Sequence, residues 1–357
     1  MDQSSVLVAM SGGVDSSVCA LLLRDAGYDC RGVNMKLFSL DDITLDKSKS
    51  CCNPDEIRDA ERVAAQLGMP FSVYDLSDDF CRNVIDYFVR TYEEGGTPNP
   101  CIECNRTMKF GSLYRLSKEL GCEKIATGHY ARVTTDANGR HLLAVAKDRS
   151  KDQTYVLWSL TQSQLASTLF PLGDYTKAEV RAMAAANGFC NADRRESQDI
   201  CFVPDGDYAA FIRHYTKKDF PRGSFVDTDG NVLGEHNGII HYTIGQRKGL
   251  GMAFGKPTYV CKKSAVDHTV TLGSNDDLFS RDLVAKRLNL IAIDRIDRPL
   301  RVTAKIRYQA APAPAEVEQL DRDTVRVRFE SPQRAISKGQ SVVLYADDTV
   351  IGGGIIE

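Results

Sequence analysis

The stretch Ala9-Met10-Ser11-Gly12-Gly13-Val14-Asp15-Ser16-Ser17 lies between two apolar segments. Val6-Leu7-Val8 before it is typical of a short buried strand, and 18–23 after it is typical of a helix that packs on a sheet. The stretch is therefore predicted to be a strand-to-helix turn. Its glycines allow a ligand to approach the backbone closely, and a helix N-terminus offers unpaired N–H groups and a partial positive charge. This combination suits a phosphate group, to which the serines add hydroxyl donors.

The string fits neither the P-loop nor the dinucleotide-binding fingerprint. A glycine-rich turn with a serine cap is the simplest alternative, and Asp15 could cap the helix or hold a magnesium ion. The string resembles the SGGxDS loop of ATP pyrophosphatases, which cleave ATP to AMP and pyrophosphate. This resemblance implies that the ATP-binding residues are Ala9, Met10, Ser11, Gly12, Gly13, Val14, Asp15 and Ser16.

The composition is that of an ordinary globular protein. The chain has 357 residues, of which 43% are hydrophobic and 26% charged, and a formal net charge of −3. This length predicts two or three domains, and the charge neither demands nor excludes a nucleic acid partner. No apolar run approaches the roughly 20 residues that span a bilayer, and no signal peptide is evident. We therefore expect a cytoplasmic protein that does not bind membranes.

Strand and helix patterns alternate as far as a strand over 124–129, which predicts a parallel sheet covered on both faces. Helices are predicted over 80–92 and 109–120, and the Gly and Pro content of 95–105 predicts a loop between them. A capping box over 176–179 predicts the start of a further helix, which ends at Gly188. From about Gly223 the pattern changes to short alternating strands, which indicate a barrel or a sandwich. Three of these strands are predicted at 302–308, 324–329 and 341–345.

Eleven cysteines are many for a reducing compartment, where clustered thiols are more often catalytic or metal-binding than structural. Cys101 and Cys104 form a CxxC pair, and Cys51-Cys52 is a further candidate pair. Cys201 lies far downstream in an apolar triplet and is equally well explained as a small core residue. No partner CxxC stands at zinc-finger spacing, so a structural zinc site is not expected.

Over nearly its whole length the chain resembles the bacterial tRNA-specific 2-thiouridylases of the MnmA type. The matching strings are 10–17, Thr97-Pro98-Asn99-Pro100 with Cys104-Asn105, Lys109-Phe110-Gly111, Ala126-Thr127-Gly128-His129-Tyr130, Lys151-Asp152-Gln153, Ser197-Gln198-Asp199-Ile200-Cys201-Phe202, and 241–249. The resemblance implies an α/β fold: a doubly wound parallel-sheet ATP pyrophosphatase domain over 1–205, a small central tRNA-binding domain over 206–275 and a C-terminal β-barrel over 276–357.

The implied function is that of a tRNA sulfurtransferase. ATP, with Mg²⁺, adenylates O2 of the anticodon wobble uridine, and sulfur then replaces that oxygen to give 2-thiouridine, AMP and pyrophosphate. In this family the catalytic positions match Cys104, the nucleophile, and Cys201, which receives a persulfide from a sulfur-donor protein. The ATP site also includes Met35 and Gly128. The implied tRNA contacts are Asn99, Pro100, Cys101, Lys151, Asp152, Gln153, Arg307 and Tyr308.

Several of these residues have ordinary structural explanations. Met35 is more often a core residue, and Lys151-Asp152-Gln153 is more often a solvated charged loop. Arg307-Tyr308 pairs occur on many exposed strands. The strings 249–256 and His236/His241 resemble a nucleotide loop and a metal pair, but their spacing fits neither, and both are interpreted as structure or tRNA contact in the central domain.

One position departs from the family pattern. Much of the family has Asp where this chain has Cys101. Related thiolating enzymes hold a 4Fe–4S cluster with three cysteines, so a cluster on Cys101, Cys104 and Cys201 is the alternative to a persulfide–disulfide cycle. The rival functions are an amide-forming ATP pyrophosphatase acting on a small molecule, and a non-catalytic nucleotide sensor or RNA-binding protein.

Overall fold

The computed structural model describes residues 4–38, 54–194 and 200–357. The chain forms two compact units. The first comprises Met1–Val84, Cys101–Asp205 and Asp347–Ile351, and the second comprises Ile85–Pro100, Gly206–Ala346 and Gly352–Glu357. Two predicted features lie outside the described residues: the pair Cys51-Cys52 and the string Ser197-Gln198-Asp199.

Short helices and strands follow one another along the described residues. The helices are α1 (Val14–Asp25), α2 (Pro54–Gln66), α3 (Ser77–Phe80), α4 (Asp86–Glu93), α5 (Pro100–Glu103), α6 (Leu113–Glu119), α7 (Gln162–Ala166), α8 (Lys177–Ala186) and α9 (Tyr208–Thr216). The strands of the first unit are β1 (Ser5–Ala9), β2 (Asp29–Lys36), β3 (Phe71–Asp75), β4 (Lys124–Ala126), β5 (Arg132–Thr135), β6 (His141–Ala144) and β7 (Thr168–Leu169).

The first unit is built on a five-stranded parallel sheet in the order β3-β2-β1-β4-β7. Strand β1 is central, and its Val6 and Val8 are fully buried because both faces of the sheet are covered. Helix α1 buries Val14, Val18 and Leu21, which share one face at helical spacing. The predicted parallel α/β sheet is therefore confirmed, and the turn after β1 lies at the carboxyl edge of the sheet, where such sheets bind ligands.

The helix predictions around residue 100 are wrong in part. The predicted helix over 80–92 is divided into α3, a π-helical segment Cys81–Ile85 and α4, and a second π segment, Cys104–Ser112, precedes α6. The predicted loop over 95–105 contains α5, which starts at Pro100. Proline is compatible with a first helical position, since its missing N–H is not needed there. Hydrophobic periodicity does not distinguish the rare π geometry from an α-helix.

The second unit contains two sheets. Its strands are β8 (Gly223–Val226), β9 (Val232–His236), β10 (Tyr259–Ser264), β11 (Thr269–Gly273), β12 (Phe279–Leu290), β13 (Leu300–Lys305), β14 (Ala313–Gln319), β15 (Val325–Arg334), β16 (Ser341–Ala346) and β17 (Thr349–Ile356, which begins in the first unit). One sheet has the order β10-β11-β8-β9. The other runs β12-β15-β14-β13-β16-β17-β6-β5. Pairing of β12 with β17 closes its first six strands into a barrel, and the β5–β6 hairpin of the first unit continues the sheet from Thr349 of β17.

The barrel decides between the two architectures that the sequence left open. The strand predicted over 302–308 ends at Lys305, so Arg307 and Tyr308 lie beyond it in a turn closed by a hydrogen bond from Ala310 N to Arg307 O. Across the described residues, no helix is long and apolar enough to cross a membrane.

Candidate active site

The turn between β1 and α1 is held in one shape by its own hydroxyl groups. Ser16 Oγ donates to Gly13 O (2.9 Å) and accepts from Ser11 N (3.2 Å), while Ser17 Oγ donates to Gly13 O (3.1 Å). Gly12 has φ +84°, and a Cβ there would lie 2.2 Å from Glu56 O, so no other residue fits. The first N–H groups of α1 lack helical partners. The turn therefore offers these N–H groups, together with its glycine backbone, to a ligand.

Asp15 is held by a nearly buried lysine. Lys177 Nζ, whose residue is only 8% exposed, lies 2.7 Å from Asp15 Oδ1 and 2.8 Å from Oδ2. Tyr130 OH also donates to Oδ1 at 2.9 Å. The N-cap of α1 is Gly13, without a side-chain cap, so the interpretation of Asp15 as a helix cap is wrong. A magnesium ion at this carboxylate would share it with the Lys177 ammonium.

The back of the turn is fixed by two residues that follow α8. Asn191 Nδ2 donates to Gly12 O (2.7 Å) and to Ser17 Oγ (2.9 Å). Arg194 Nη1 donates to Gly12 O (3.4 Å) and lies 3.1 Å from Asp59 Oδ2 and 3.8 Å from Glu56 Oε1. Burial raises the pKa of Glu56 to about 7, although Arg194 opposes the rise.

Gly128 packs directly on the first turn of α1. A Cβ at this position would lie 2.8 Å from Asp15 C and 2.9 Å from Ser16 N. Met35 lies at the end of β2, next to Asn34, whose Nδ2 donates to Met10 O at 2.8 Å. The structure therefore brings Gly128 to the turn and places Met35 half-buried on the strand that flanks it.

His129, directly after Gly128, is a neutral imidazole that contacts the cation Lys109. His129 is buried, its Nδ1 lies 2.7 Å from Thr127 Oγ1, and its Nε2 lies 3.5 Å from Lys109 Nζ. Burial, with the Lys109 charge, holds the pKa of His129 well below its usual value. The imidazole is therefore neutral near pH 7, and Nε2 can accept from Lys109 while Nδ1–H donates to Thr127.

Cys101 and Cys104 lie on consecutive helical segments. Cys101, in α5, is exposed, and Cys104, half-buried, starts the π segment. Buried Glu103 between them pairs with Arg106 at 2.5 Å, and Asn105 Nδ2 donates to Val156 O at 3.0 Å. π segments are frequent at functional sites, and here the neighbours of Cys104 are held by buried polar contacts.

Cys201 is half-buried next to two anchored residues. Phe202 and Val203 are each 1% exposed, and the Phe202 ring lies 5.7 Å from that of Phe80. Within the described residues, no three His, Cys, Asp or Glu side chains are grouped as a metal ion requires. The described residues therefore give no support to a 4Fe–4S cluster on Cys101, Cys104 and Cys201.

Three family models match consecutive parts of the chain. They are described as a tRNA methyl transferase HUP domain over residues 4–205, a tRNA methyl transferase PRC-barrel domain over 209–274 and an aminomethyltransferase beta-barrel domain over 280–356. The first alone matches more than half of the chain.

Two full-length relatives carry the same name. A "tRNA-specific 2-thiouridylase MnmA" of Clostridioides difficile is 50% identical over 353 residues, covering 99% of this chain and 98% of the relative. Its counterpart in Clostridium kluyveri is 48% identical, covering 99% of both.

The chain belongs to the tRNA-specific 2-thiouridylase family.

The segment that the family resemblance assigns to tRNA near residue 152 also has internal contacts. Asp152 Oδ1 accepts from Ala146 N (3.1 Å), and Asp152 Oδ2 accepts from Thr154 Oγ1 (2.6 Å). Gln153 and Tyr130 are joined by two hydrogen bonds, from Tyr130 N to Gln153 Oε1 and from Gln153 N to Tyr130 O, both at 2.9 Å. Because Tyr130 OH also binds Asp15, this segment is connected to the turn after β1.

The other assigned tRNA residues of this 2-thiouridylase lie in the second unit, except Cys101. Asn99 and Pro100 follow Thr97 and Pro98, whose carbonyls accept from Gln340 Nε2 at 2.9 and 3.3 Å. Arg307 is exposed, and Tyr308 is 39% exposed. The loop before Cys101 is thus fixed by contacts with Gln340, the residue before β16.

Sequence reasoning missed four residues at the turn: Lys177, Asn191, Arg194 and Glu56. The sequence places Lys177 only within the capping box, which the structure confirms between Thr176 and Glu179. A lysine at the first position of a helix opposes the helix dipole, and this is a signal that its charge is needed elsewhere.

Proposed function

We propose that this 2-thiouridylase family member is a tRNA sulfurtransferase that converts the anticodon wobble uridine to 2-thiouridine with consumption of ATP. The observation that carries the proposal is the 50% identity, over 99% of this chain, to a relative named tRNA-specific 2-thiouridylase. An amide-forming synthetase would need neither the cysteine pair nor the β-rich second unit.

The first step is activation of the base. The O2 atom of uracil attacks the α-phosphorus of ATP, the bond to the β-phosphate oxygen breaks, and pyrophosphate leaves. The turn after β1 and the N-terminus of α1 suit the phosphates, and this site comprises 9–16 with Met35 and Gly128. Mg²⁺ bound with ATP would neutralise phosphate charge, and Asp15 is the carboxylate of the turn that could hold it.

The second step replaces oxygen by sulfur. A donor protein supplies a persulfide on Cys201, and its terminal sulfur attacks C2 of the adenylated uracil while AMP leaves. Cys104 Sγ then attacks Cys201 Sγ and breaks the S–S bond, so that the sulfur stays on the base and a Cys104–Cys201 disulfide forms. Two electrons from a thiol reductant restore both thiols. Adenylation splits one difficult substitution into two easier ones.

The tRNA is held by several segments in this proposal. Asn99 and Pro100, next to Cys101, flank the target base, which must leave the anticodon stack to react. The segment 151–153 and Arg307-Tyr308 contact the rest of the tRNA, since arginine binds phosphate and an aromatic ring stacks on a base.

The test is reconstitution followed by mass spectrometry of tRNA nucleosides. Wild-type protein, ATP, Mg²⁺, unmodified tRNA, a persulfide source and a thiol reductant should give 2-thiouridine and AMP. Cys104→Ser and Cys201→Ser should each lower the rate by about a thousandfold or more, as loss of a nucleophile does. Cys261→Ser is the matched control, because burial raises the pKa of that half-buried thiol and keeps it unreactive.

The outcomes separate the alternatives. Thiolation by either serine variant at the wild-type rate would contradict the two-cysteine mechanism. A methylated rather than thiolated product would favour the activity named in the family-model descriptions. Protein purified without oxygen that contains iron and acid-labile sulfide, and loses activity with them, would favour the cluster on Cys101, Cys104 and Cys201.

A further inference from the structure

Lys109 is a half-buried cation of the first unit that is held by a base rather than by an acid. Its Nζ lies 3.5 Å from Nε2 of His129. Within the part of the chain that the structure describes, no carboxylate forms an ion pair with Lys109. An ammonium group has three N–H donors, and one of them is directed at the imidazole. Two donors and the whole positive charge are therefore available to a ligand.

The imidazole that holds Lys109 is fixed on every side that the structure describes. The rings of Phe110 and Phe170 each have their centres 5.9 Å from that of His129, and Nδ1 of His129 lies 2.7 Å from Thr127 Oγ1. Burial, together with the Lys109 charge, holds the pKa of His129 well below its usual value. The ring is thus an uncharged hydrogen-bond acceptor, which orients the ammonium of Lys109 without neutralising it.

The π segment Cys104–Ser112 determines the side on which Lys109 emerges. In an α-helix, residues five apart point about 140° away from each other, whereas the i→i+5 pattern of a π-helix sets them one turn apart. The π geometry therefore brings Lys109 to the side of the segment that carries Cys104. The segment is anchored at Asn105, whose Nδ2 donates to Val156 O (3.0 Å), and at Phe110, whose carbonyl accepts from Gln164 Nε2 (2.5 Å).

His129 connects Lys109 to the turn after β1. It directly follows Gly128, and a Cβ on Gly128 would lie 2.8 Å from Asp15 C and 2.9 Å from Ser16 N. These contacts place the residues after β4 beside the first turn of α1, at the carboxyl edge of the parallel sheet, where such sheets bind ligands. An unneutralised ammonium is therefore held at the edge of the sheet that is expected to receive the phosphates of ATP.

We propose that Lys109 is a further catalytic residue of the adenylation step, whose ammonium binds the phosphate oxygens of ATP, and that His129 is its positioning residue. The proposal rests on the proposed function, because it concerns the first step of that reaction. In that step uracil O2 bonds to the α-phosphorus and the bond from the α-phosphorus to the bridging oxygen breaks. The electron pair of the broken bond leaves with pyrophosphate, and the N3 proton of the base passes to water. Lysine suits this position, since it binds phosphate as a compact charge and stabilises the negative charge that develops on the leaving group.

The experiment measures pyrophosphate release by the full-length protein with ATP, Mg²⁺ and unmodified tRNA, without a persulfide source, so that adenylation is observed alone. Lys109→Met should lower the rate of the first turnover at saturating ATP by about a hundredfold to a thousandfold, as loss of one donor to a developing charge does. The ATP concentration for half-saturation should change less than about threefold, because the contact strengthens in the transition state. Lys109→Arg retains the charge and should recover at least a tenth of the wild-type rate.

Lys118→Met is the matched control. Lys118 is an exposed lysine of α6 whose Nζ lies 5.1 Å from the centre of the Tyr114 ring and donates to Glu123 O at 3.3 Å. This variant also loses a lysine near a ring, but away from the edge of the sheet, and it should release pyrophosphate at the wild-type rate.

Pyrophosphate release by Lys109→Met at the wild-type rate would overturn the proposal. If that variant then formed 2-thiouridine slowly with a persulfide source, the cation would act on the Cys104 thiol instead. Equal losses in the Met and Arg variants, with a lowered melting temperature in both, would overturn it in favour of a packing role. If Lys109→Met does not fold, Lys109→Gln decides, because its amide still donates to His129 and only the charge is lost. Absence of tRNA-dependent pyrophosphate release by the wild type would instead defeat the proposed function itself.

Discussion

Lys177 determines the position of the Asp15 carboxylate in the turn after β1. It opens α8, where the helix dipole disfavours a cation, and it is almost completely buried. Both penalties are offset by Asp15, whose two oxygens lie 2.7 and 2.8 Å from Nζ. The position of the Asp15 carboxylate, which we propose to face ATP and Mg²⁺, therefore depends on a residue 162 positions away. We regard Lys177 as a positioning residue.

Replacement Lys177→Met keeps most of the side-chain volume and removes the charge. We expect kcat/KM for tRNA thiolation to fall about tenfold to a hundredfold, the loss typical of a hydrogen bond to a charged group. The apparent affinity for Mg²⁺ should change as well, because Asp15 is left with Tyr130 as its hydrogen-bond partner in this contact. Steady-state kinetics against ATP and Mg²⁺ measure both effects.

Lys147→Met is the matched control. Lys147 Nζ lies 3.0 Å from Oε1 of Glu179, which is on the same helix as Lys177. Both side chains of this pair are about half exposed, and such pairs contribute little to stability. If Lys147→Met and Lys177→Met lower the melting temperature equally and neither changes the kinetics, Lys177 has only a structural role.

The residues of the turn were predictable because they are contiguous in the sequence and each type has a local physical reason. Lys177, Asn191 and Arg194 were not, since they reach Asp15 or Gly12 only through the folded α/β layers. Local propensity and periodicity carry no signal for pairs so far apart in the chain. The CxxC spacing pointed to Cys101 and Cys104, whereas family resemblance singled out Cys201 and assigned the catalytic roles, which stay predictions.

At the scale of elements, the segment that follows β4 approaches the start of α1 closely because Gly128 has no side chain. A Cβ at Gly128 would lie within 3.0 Å of backbone atoms of both Asp15 and Ser16. Backbone atoms cannot rotate away as a side chain can, so the two elements would have to separate. The sequence pattern of alternating strands and helices predicted these two elements, but not how closely they approach each other. It also did not predict the π segments near residue 100.

Gly128→Ala should therefore weaken ATP binding as well as folding. We expect an increase of about tenfold in the KM for ATP, together with a loss of stability in the range of about 1 to 3 kcal/mol that overpacking causes. Gly121→Ala serves as a control for a destabilising loss of glycine away from the turn: its φ of +70° strains an alanine, but a Cβ there would meet nothing within 4 Å. Equal KM values for ATP in the two variants would contradict the proposed contact between Gly128 and the nucleotide site.

At the scale of the whole molecule, two compact units share one chain, so a single unfolding transition is not assured. The protein offers a selective probe. Trp158 is the only tryptophan, it is 3% exposed, and it belongs to the first unit. Its fluorescence reports unfolding of the unit that contains the turn after β1 and Glu56.

Glu56 makes the stability of that unit depend on pH. Its pKa is about 7 in the folded chain and 4.5 ordinarily, so the folded state binds more protons in this interval and stability falls as pH rises through it. Glu56→Gln removes this dependence. Urea unfolding followed at Trp158 should show the variant gaining on wild type by about 1 kcal/mol between about pH 5 and pH 8, a value reduced for solvent screening. Glu61→Gln, an exposed position on the same helix, should follow wild type at every pH. Parallel pH profiles for wild type and Glu56→Gln would show that the Glu56 carboxylate is already ionised throughout, held by Arg194 rather than opposed by burial.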